Sequence, residues 1–168
     1  LFPEYLGQIV IQYVESARHG GDENLFPRRI FFYIVECDSA RDHVTHAELA
    51  LDREGKFLAL RAETCANMGA YLSTVASIVP THACEGIQAG VYVIPAAHVT
   101  VKGVFTHTVP VDAYRGAGSP EANYMIERLI DLAAYETGLD AGELRLRNLV
   151  PSAAMPYTNV FGITFDSG

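Results

Sequence analysis

The pattern of hydrophobic and polar positions changes along the chain, and its clearest feature in the first half is the period of a strand. Between residues 45 and 51, apolar side chains alternate with more polar neighbours, as they do in a half-buried strand. The next segment, Asp52-Arg53-Glu54-Gly55-Lys56, has the composition of a turn in which Gly55 can adopt a left-handed conformation. An extended pattern then resumes. The sequence therefore predicts a β-hairpin over residues 44–65.

Three further segments have the composition of strands, and one has the periodicity of a helix. Ile30–Val35 is a continuous aromatic and β-branched run, which predicts a strand buried on both faces. A second pair of strands is predicted at residues 90–94 and 98–109, where Gly103 marks a bulge or a close approach of another backbone. Near the N-terminus the apolar positions fit one helical face, so we predict a helix over residues 4–18.

The second half of the chain predicts two consecutive helices. Pro120 suits the first turn of the first helix, and Gly138 suits its end. Asp140 is placed to cap the second helix, with Glu143 three residues later and Pro151 as the limit. The first helix has one apolar stripe at helical spacing, formed by Ala122, Met125, Ile126, Leu129, Ile130 and Ala133. Strands followed by helices, without regular alternation, predict an α+β fold in which β-hairpins pack against helices.

Composition and charge exclude several classes of protein. The 168 residues are 49% hydrophobic and 19% charged, which is typical of one globular domain. A net charge of -8 without a basic stripe argues against a nucleic-acid partner. No apolar run approaches the ~18–20 residues of a membrane span. The three cysteines, at positions 37, 65 and 84, lack a close pair, so we expect reduced thiols in a cytoplasmic protein rather than disulfides or a metal site.

The segment from Val109 to Pro120 joins the last predicted strand to the first predicted helix. Gly116 and Gly118 bracket a small residue, so the backbone there can approach a ligand closely. The helix that follows presents unpaired N–H groups and a positive dipole end, and Arg115 adds a permanent positive charge. These features fit a loop that faces an anion or a cofactor. Taken alone, they fit better a tight strand–helix turn in which Arg115 pairs with a surface carboxylate.

The same loop belongs to a series of motifs that run in order along the chain. The series begins with the stretch from Arg41-Asp42-His43-Val44 through Ala50-Leu51-Asp52, followed by Gly55-Lys56. It continues with Gly69-Ala70-Tyr71-Leu72, Tyr92-x-Ile94-Pro95, Val101-Lys102-Gly103-Val104, Tyr114-Arg115-Gly116-Ala117-Gly118-x-Pro120-Glu121-Ala122, Glu127-Arg128-x-x-Asp131-x-Ala133-Ala134 and Glu143-Leu144-Arg145-x-x-Asn148. In this order and spacing they resemble the large subunits of molybdenum hydroxylases, the family of xanthine dehydrogenases, aldehyde oxidases and carbon-monoxide-dehydrogenase-like enzymes. The resemblance covers about residues 41–168 and implies a fragment of a molybdopterin-binding domain.

The resemblance implies a cofactor and a role for each residue of the loop. The cofactor would be molybdenum–molybdopterin, in some relatives as its cytosine dinucleotide, shared with other parts of the subunit. Arg115 and Gly116 would face the ligands of the metal, Ala117 would line the substrate side, and Gly118 would complete the cofactor-facing loop. Relatives that oxidise carbon monoxide carry a cysteine at the position of Gly116, so its absence here disfavours a copper-containing centre. Iron–sulfur clusters and FAD would lie on partner subunits or domains.

Two functional elements of the family are not found in this sequence, namely its late catalytic glutamate and a glycine-rich loop. Glu121, Glu127 and Glu143 do not replace the glutamate by motif, and we expect salt-bridging roles for the first two and a capping role for the third. The sequence thus predicts a fragment or split part of an oxidoreductase that hydroxylates an aldehyde or N-heterocycle with oxygen from water, inactive on its own. The alternatives are a non-catalytic scaffold or interaction module, or a truncated product that has lost the cofactor.

The resemblance also divides the chain into three parts. Residues 41–150 form the core of the molybdopterin-binding domain, and residues 151–168 begin a following segment that is truncated. Residues 1–40 diverge from the family, with His19-Gly20-Gly21-Asp22 and no tryptophan where the family has a tryptophan-bearing strand. We therefore assign no site residue to this N-terminal segment.

Overall fold

The computed structural model describes residues 42–167, together with the backbone of two strands at residues 8–9 and 28–36; the side chains of residues 83 and 85 lie outside the description. The strands are β1 (Gln8–Ile9), β2 (Arg28–Glu36), β3 (His43–Leu51), β4 (Phe57–Gly69), β5 (Ala97–Phe105), β6 (Tyr157–Thr158) and β7 (Thr164–Phe165). The helices are α1 (His82–Glu85), α2 (Ser119–Thr137) and α3 (Ala141–Asn148), followed by a 3₁₀ turn at Ser152–Ala154.

The main sheet has five strands in the order β1-β5-β4-β3-β2. β3 and β4 are antiparallel, with Leu49 opposite Leu60, which confirms the predicted hairpin. β2 pairs with β3 and confirms the strand predicted at residues 30–35, although its side chains are outside the description. β4 and β5 are parallel, because the long connection over residues 70–96 returns the chain to the other edge of β4.

Two of the predictions for strands and helices are wrong, and so is one of the two alternatives given for Gly103, the bulge. Residues 90–94 form no strand, because their backbone groups pair with the end of α3: the Val93 amide donates to the Asn148 carbonyl over 2.8 Å. Gly103 lies in regular register with Ala66, and the irregularity falls on the neighbouring strand between Asn67 and Gly69. Residues 8–9 pair with β5 as a strand, which overturns the predicted helix at those positions. The rest of that predicted helix lies outside the described residues.

Both predicted helices are confirmed, with the ends that the sequence indicates. α2 starts one residue before Pro120 and ends at Gly138, whose positive φ of 73° suits a left-handed cap. The N–H of Glu143 donates to the Asp140 carboxylate over 2.9 Å at the start of α3. The buried face of α2 joins the apolar face of the sheet in one core. The α+β class is therefore confirmed. Within the residues that the structure describes, no helix is long and apolar enough to cross a membrane.

Asn148, at the end of α3, ties that helix to the β3–β4 turn. Its side-chain oxygen accepts the Phe57 N–H over 2.9 Å, and its amide donates to the Gly55 and Leu144 carbonyls over 2.8 and 2.9 Å. The side chain is only 2% exposed. Since these bonds satisfy buried backbone groups on two elements, Asn148 fixes the position of α3 on the sheet.

The last part of the chain folds back on α1. The buried Asn159 donates from its side chain to the Gly86 carbonyl over 2.7 Å, and β6 and β7 pair as a short antiparallel hairpin around it. The division of the chain at residues 150 and 151 stays a prediction.

Candidate functional site

The motif-bearing loop leaves the sheet through a buried polar network. The Thr106 hydroxyl donates to the Asn67 side-chain oxygen over 2.7 Å, and the Thr106 N–H donates to the Gly69 carbonyl over 2.9 Å. The Asn67 amide in turn donates to the Asp42 carboxylate and the Thr108 hydroxyl over 3.1 and 3.0 Å. Asn67 is only 2% exposed, so these bonds form away from bulk water. The network fixes the point where β5 ends and the loop begins.

The first half of the loop is held against residues 69–73. Gly69 has a φ of +73°, and a Cβ atom on it would lie 2.4 Å from the Val109 carbonyl oxygen and from the Pro110 Cα. Only glycine allows so close an approach of two backbones. The Ser73 hydroxyl donates to the Val111 carbonyl over 3.0 Å. The segment that begins Gly69-Ala70-Tyr71-Leu72, which carried part of the sequence resemblance, is therefore the support of the loop.

The centre of the loop, residues 112–118, forms an arch. Residues 112–116 are exposed, and Tyr114 keeps 74% of its surface. Two consecutive turns shape the arch: the Ala117 N–H donates to the Tyr114 carbonyl over 2.8 Å, and the Ser119 N–H donates to the Gly116 carbonyl over 2.9 Å. Arg115 is exposed in the arch four residues before α2 begins, and the backbone N–H groups of that helix end add a partial positive charge.

Three successive residues of the arch have left-handed backbones. The φ angles are +96° at Gly116, +39° at Ala117 and +98° at Gly118. Among the residues that the structure describes, Ala117 is the one non-glycine residue with a positive φ. Such a conformation costs an L-residue about 1–2 kcal/mol, and strain of this kind concentrates at functional sites. The strained backbone makes the arch the leading candidate site in the described part of the chain.

Gly118 ends the arch inside the protein. It is buried, and a Cβ on it would lie 2.5 Å from the Val79 carbonyl oxygen and 2.7 Å from the Cys84 sulfur. Its carbonyl accepts the Ala122 N–H over 3.1 Å and starts α2. The Cys84 thiol lies 3.1 Å from the Val79 carbonyl oxygen and 3.3 Å from the Gly118 carbonyl oxygen, so its single S–H proton is shared between these two acceptors.

The four predicted site residues therefore occupy different environments. Arg115 and Gly116 are exposed, Ala117 is half-buried, and Gly118 is buried against the Val79–Cys84 segment. A Cβ on Gly116 would lie 2.9–3.0 Å from the ring of Pro120, and no other atom is near it, so this exposed glycine is close to one neighbouring side chain only. In contrast, the space that a side chain on Gly118 would need is filled by the Val79 carbonyl and the Cys84 sulfur. The structure groups the first three residues as a surface that a ligand can reach, and makes the fourth their anchor.

Two of the glutamates have structural contacts. Glu127 accepts from the Arg145 guanidinium over 2.7 Å and from the Tyr92 hydroxyl over 2.7 Å, and burial together with this hydrogen bond raises the pKa of Tyr92 to about 12. The Glu143 carboxylate pairs with Arg147 over 3.0 Å, while its N–H completes the cap of α3. Glu127 thus has the predicted salt-bridging role, and Glu143 contributes its backbone to the predicted cap.

The salt-bridging role expected of Glu121 stays a prediction. Both oxygens of its carboxyl group are buried in the first turn of α2, next to the arch. The described residues contain no cluster of three or more histidine, cysteine, aspartate or glutamate side chains that could hold a metal ion.

The sequence did not indicate Cys84 or Asn67 as parts of the site. The expectation that the Cys84 thiol packs is confirmed, since it is 5% exposed, but its contact with the loop depends on residues 34 positions away. Asn67 lies on β4, where a polar residue inside an apolar strand pattern was the available signal.

Comparison with known proteins gives a consistent set of relatives. Residues 34–149 match the molybdopterin cofactor-binding domain family. The chain is 38% identical over 141 residues to the gamma subunit of the 6-hydroxypseudooxynicotine dehydrogenase complex from Paenarthrobacter nicotinovorans, a match that covers 81% of this chain and 18% of that subunit. It is 40% identical over 134 residues to the carbon monoxide dehydrogenase large chain from Hydrogenophaga pseudoflava, with 77% and 16% covered.

A solved structure matches in fold as well as in sequence. Quinoline 2-oxidoreductase from Pseudomonas putida 86 superposes with a TM-score of 0.69 at 35% identity, over 74% of this chain and 16% of that one. The matched part of the chain thus spans less than a fifth of the length of these relatives.

Proposed function

Because the chain belongs to the molybdopterin cofactor-binding domain family of molybdenum hydroxylase large subunits, we propose that it forms one wall of a molybdenum-cofactor site in a multi-subunit oxidoreductase. The observation that carries the proposal is the arch just before the N-terminus of α2, in which Arg115 and Gly116 are exposed and residues 116–118 have left-handed backbones. Its neighbours hold it in place, so the arch is formed before any ligand arrives.

The residues of the arch fit an oxygen-rich, anionic cofactor. Gly116 is exposed and carries no side chain, so such a group can approach its backbone closely. The Arg115 guanidinium supplies several N–H donors in a fixed plane and cannot lose its charge. The positive end of α2 acts in the same direction. When bound, the molybdenum cofactor supplies the oxidation chemistry, in which water-derived oxygen enters a C–H bond and two electrons leave.

The substrate we propose is an aldehyde or an N-heterocycle. Ala117 carries only a methyl group, which would leave space beside the cofactor for a planar molecule. The names of two relatives refer to quinoline and to 6-hydroxypseudooxynicotine. Gly116 offers no sulfur ligand, which argues against a copper-containing centre although a carbon monoxide dehydrogenase is among the relatives.

The remaining parts of the enzyme would come from other chains or segments. We propose that the chain works beside iron–sulfur and flavin subunits in the cytoplasm, and that the cofactor is held jointly with the rest of a large subunit, with or without a cytosine nucleotide. One relative is the gamma subunit of a complex and another is a large chain, which supports this assembly. In this arrangement the chain positions the cofactor, and the catalytic base lies elsewhere.

A pair of glycine substitutions tests the proposal. Gly116→Val places a branched side chain on the exposed, left-handed backbone of the arch, with its Cβ 2.9 Å from the Pro120 ring, so that it both crowds the approach to the backbone and displaces the arch. We expect the molybdenum content of the co-purified complex to fall about tenfold or more, equivalent to ~1.4 kcal/mol per tenfold. Gly162→Val is the matched control, because Gly162 is also exposed and left-handed, with no atom within 4 Å of an added Cβ. Its molybdenum content should match that of the wild type. Equal molybdenum in Gly116→Val and wild type would contradict the assignment of the arch.

A further inference from the structure

The arch is held to the protein at two points, one on each side. On the N-terminal side the Ser73 hydroxyl donates to the Val111 carbonyl. On the C-terminal side the Cys84 sulfur contacts the Gly118 carbonyl. Residues 112–116, which lie between these two points, are all exposed. The orientation of Arg115 and Gly116 therefore depends on the contacts at Val111 and Gly118.

The C-terminal end depends on one buried thiol. Cys84 is 5% exposed, and its sulfur lies 3.3 Å from the Gly118 carbonyl oxygen and 3.1 Å from that of Val79. The Gly118 carbonyl also accepts the Ala122 N–H of α2 over 3.1 Å. The same oxygen thus receives one donor from the helix that follows the arch and a second donor from a distant segment. Two donors from different directions leave this peptide unit little freedom to rotate.

The segment that carries the thiol is itself fixed. The Cys84 N–H donates to the Thr81 carbonyl over 3.1 Å, and the Thr81 hydroxyl donates to the Ser77 carbonyl over 2.6 Å. Val79 is buried, and its carbonyl oxygen would be 2.5 Å from a Cβ on Gly118. The arch therefore ends against a packed turn rather than against solvent, and the thiol is the polar side chain of that turn that reaches it.

We propose that Cys84 is a positioning residue for the arch: its thiol holds the Gly118 carbonyl, and through it the direction of Arg115 and Gly116. Its consequence for the cofactor rests on the proposed function, whereas its effect on the loop does not. A hydrogen bond from a neutral side chain to a carbonyl contributes only modestly to stability. Its loss should therefore increase the population of the open arch without unfolding the protein.

Limited trypsin cleavage measures this opening directly. Arg115 is exposed within the arch, and cleavage of the Arg115–Gly116 bond requires the arch to leave its turns. Arg53 is exposed in the β3–β4 turn and supplies an internal reference site. When opening and closing are fast, the cleavage rate follows the population of the open form. The quantity to compare among variants of the full chain is the ratio of cleavage at Arg115 to cleavage at Arg53.

Three substitutions at Cys84 separate the hydrogen bond from the packing. Cys84→Ala and Cys84→Val both remove the donor, and valine does so while filling the space if alanine prevents folding. We expect either to raise the ratio about two- to tenfold. Cys84→Ser keeps a donor and should stay within about twofold of the wild type. Cys65→Ala, at a thiol on β4, is the control and should leave the ratio unchanged.

The outcomes decide the proposal. An unchanged ratio in Cys84→Ala and Cys84→Val overturns it, and so does a rise in Cys84→Ser equal to the rise in Cys84→Val. The molybdenum content of the co-purified complex is the second readout, in which we expect Cys84→Val to lose metal and Cys84→Ser to keep it. If Cys84→Val raises the cleavage ratio but the wild-type complex contains no molybdenum, the thiol contact is confirmed and the proposed function is refuted. Failure of the proposal for Cys84 and failure of the proposed function are therefore distinguishable.

Discussion

Replacing Gly118 by alanine should destabilise the protein more than the same change at any exposed left-handed glycine. Two penalties add at this position. The φ of +98° lies where L-residues are strained by about 1–3 kcal/mol. The added Cβ would also lie 2.5 Å from the Val79 carbonyl oxygen and 2.7 Å from the Cys84 sulfur, and such overpacking typically costs about 1–3 kcal/mol. We therefore expect a loss of about 2–6 kcal/mol in the free energy of unfolding.

Gly138 provides the matched control for this prediction. It is also a left-handed glycine next to α2, with a φ of +73°, but no atom lies within 4 Å of an added Cβ. Gly138→Ala should therefore show only the backbone penalty, about 1–2 kcal/mol. Urea unfolding of the full chain, followed by far-UV circular dichroism, gives both values, provided that the slope with urea is unchanged. Equal midpoints for the two variants would refute the close packing of Gly118 against the Val79–Cys84 segment.

Three further predictions concern the contacts that hold the helices in place. Asn148→Ala leaves the buried Phe57 N–H and Gly55 carbonyl without this partner, and should lower the free energy of unfolding by about 2–5 kcal/mol; a loss below about 1 kcal/mol in urea unfolding would contradict the role of Asn148. Because the pKa of Tyr92 is raised from 10.0 to about 12 in the folded protein, its contribution to stability is complete below pH 10 and is lost as the pH rises toward 12. Tyr92→Phe should remove that part of the decline in the free energy of unfolding at alkaline pH. Identical curves of unfolding free energy against pH for the variant and the wild type would refute the raised pKa of Tyr92. Glu127→Gln removes the negative charge beside the Tyr92 hydroxyl, so the pKa of Tyr92 should fall. The alkaline absorbance titration should then show the ionisation of this tyrosine at lower pH. An unshifted titration would show that Glu127 does not hold the hydroxyl proton.

Local patterns allowed part of the fold to be predicted. The β3–β4 hairpin and the two helices were correct because alternation, turn composition and capping residues act over a few neighbouring positions. The parallel pairing of β4 with β5 joins residues about 40 positions apart, and no local pattern encodes it. Residues 90–94 have the composition of a strand but bond to the end of α3, so tertiary contacts overrode their local preference.

The candidate site shows a similar division. The motif located the loop at residues 115–118, and the glycines indicated an unusual backbone. A sequence does not distinguish a glycine that leaves space for a ligand from one that leaves space for its own protein. Gly116 is exposed, with only the Pro120 ring near an added Cβ, whereas Gly118, two positions later, is buried against Val79 and Cys84. That distinction, and the role of Cys84, required the three-dimensional contacts.

The molybdenum content of the complex tests the central claim most directly. The chain would be purified from its own host without denaturant, together with the subunits that accompany it, and analysed for metal by elemental analysis. The proposed function predicts close to one molybdenum per chain, with larger subunits in the same fractions. A folded chain that carries no molybdenum alongside those subunits would contradict it, and would favour a non-catalytic scaffold built on the same fold.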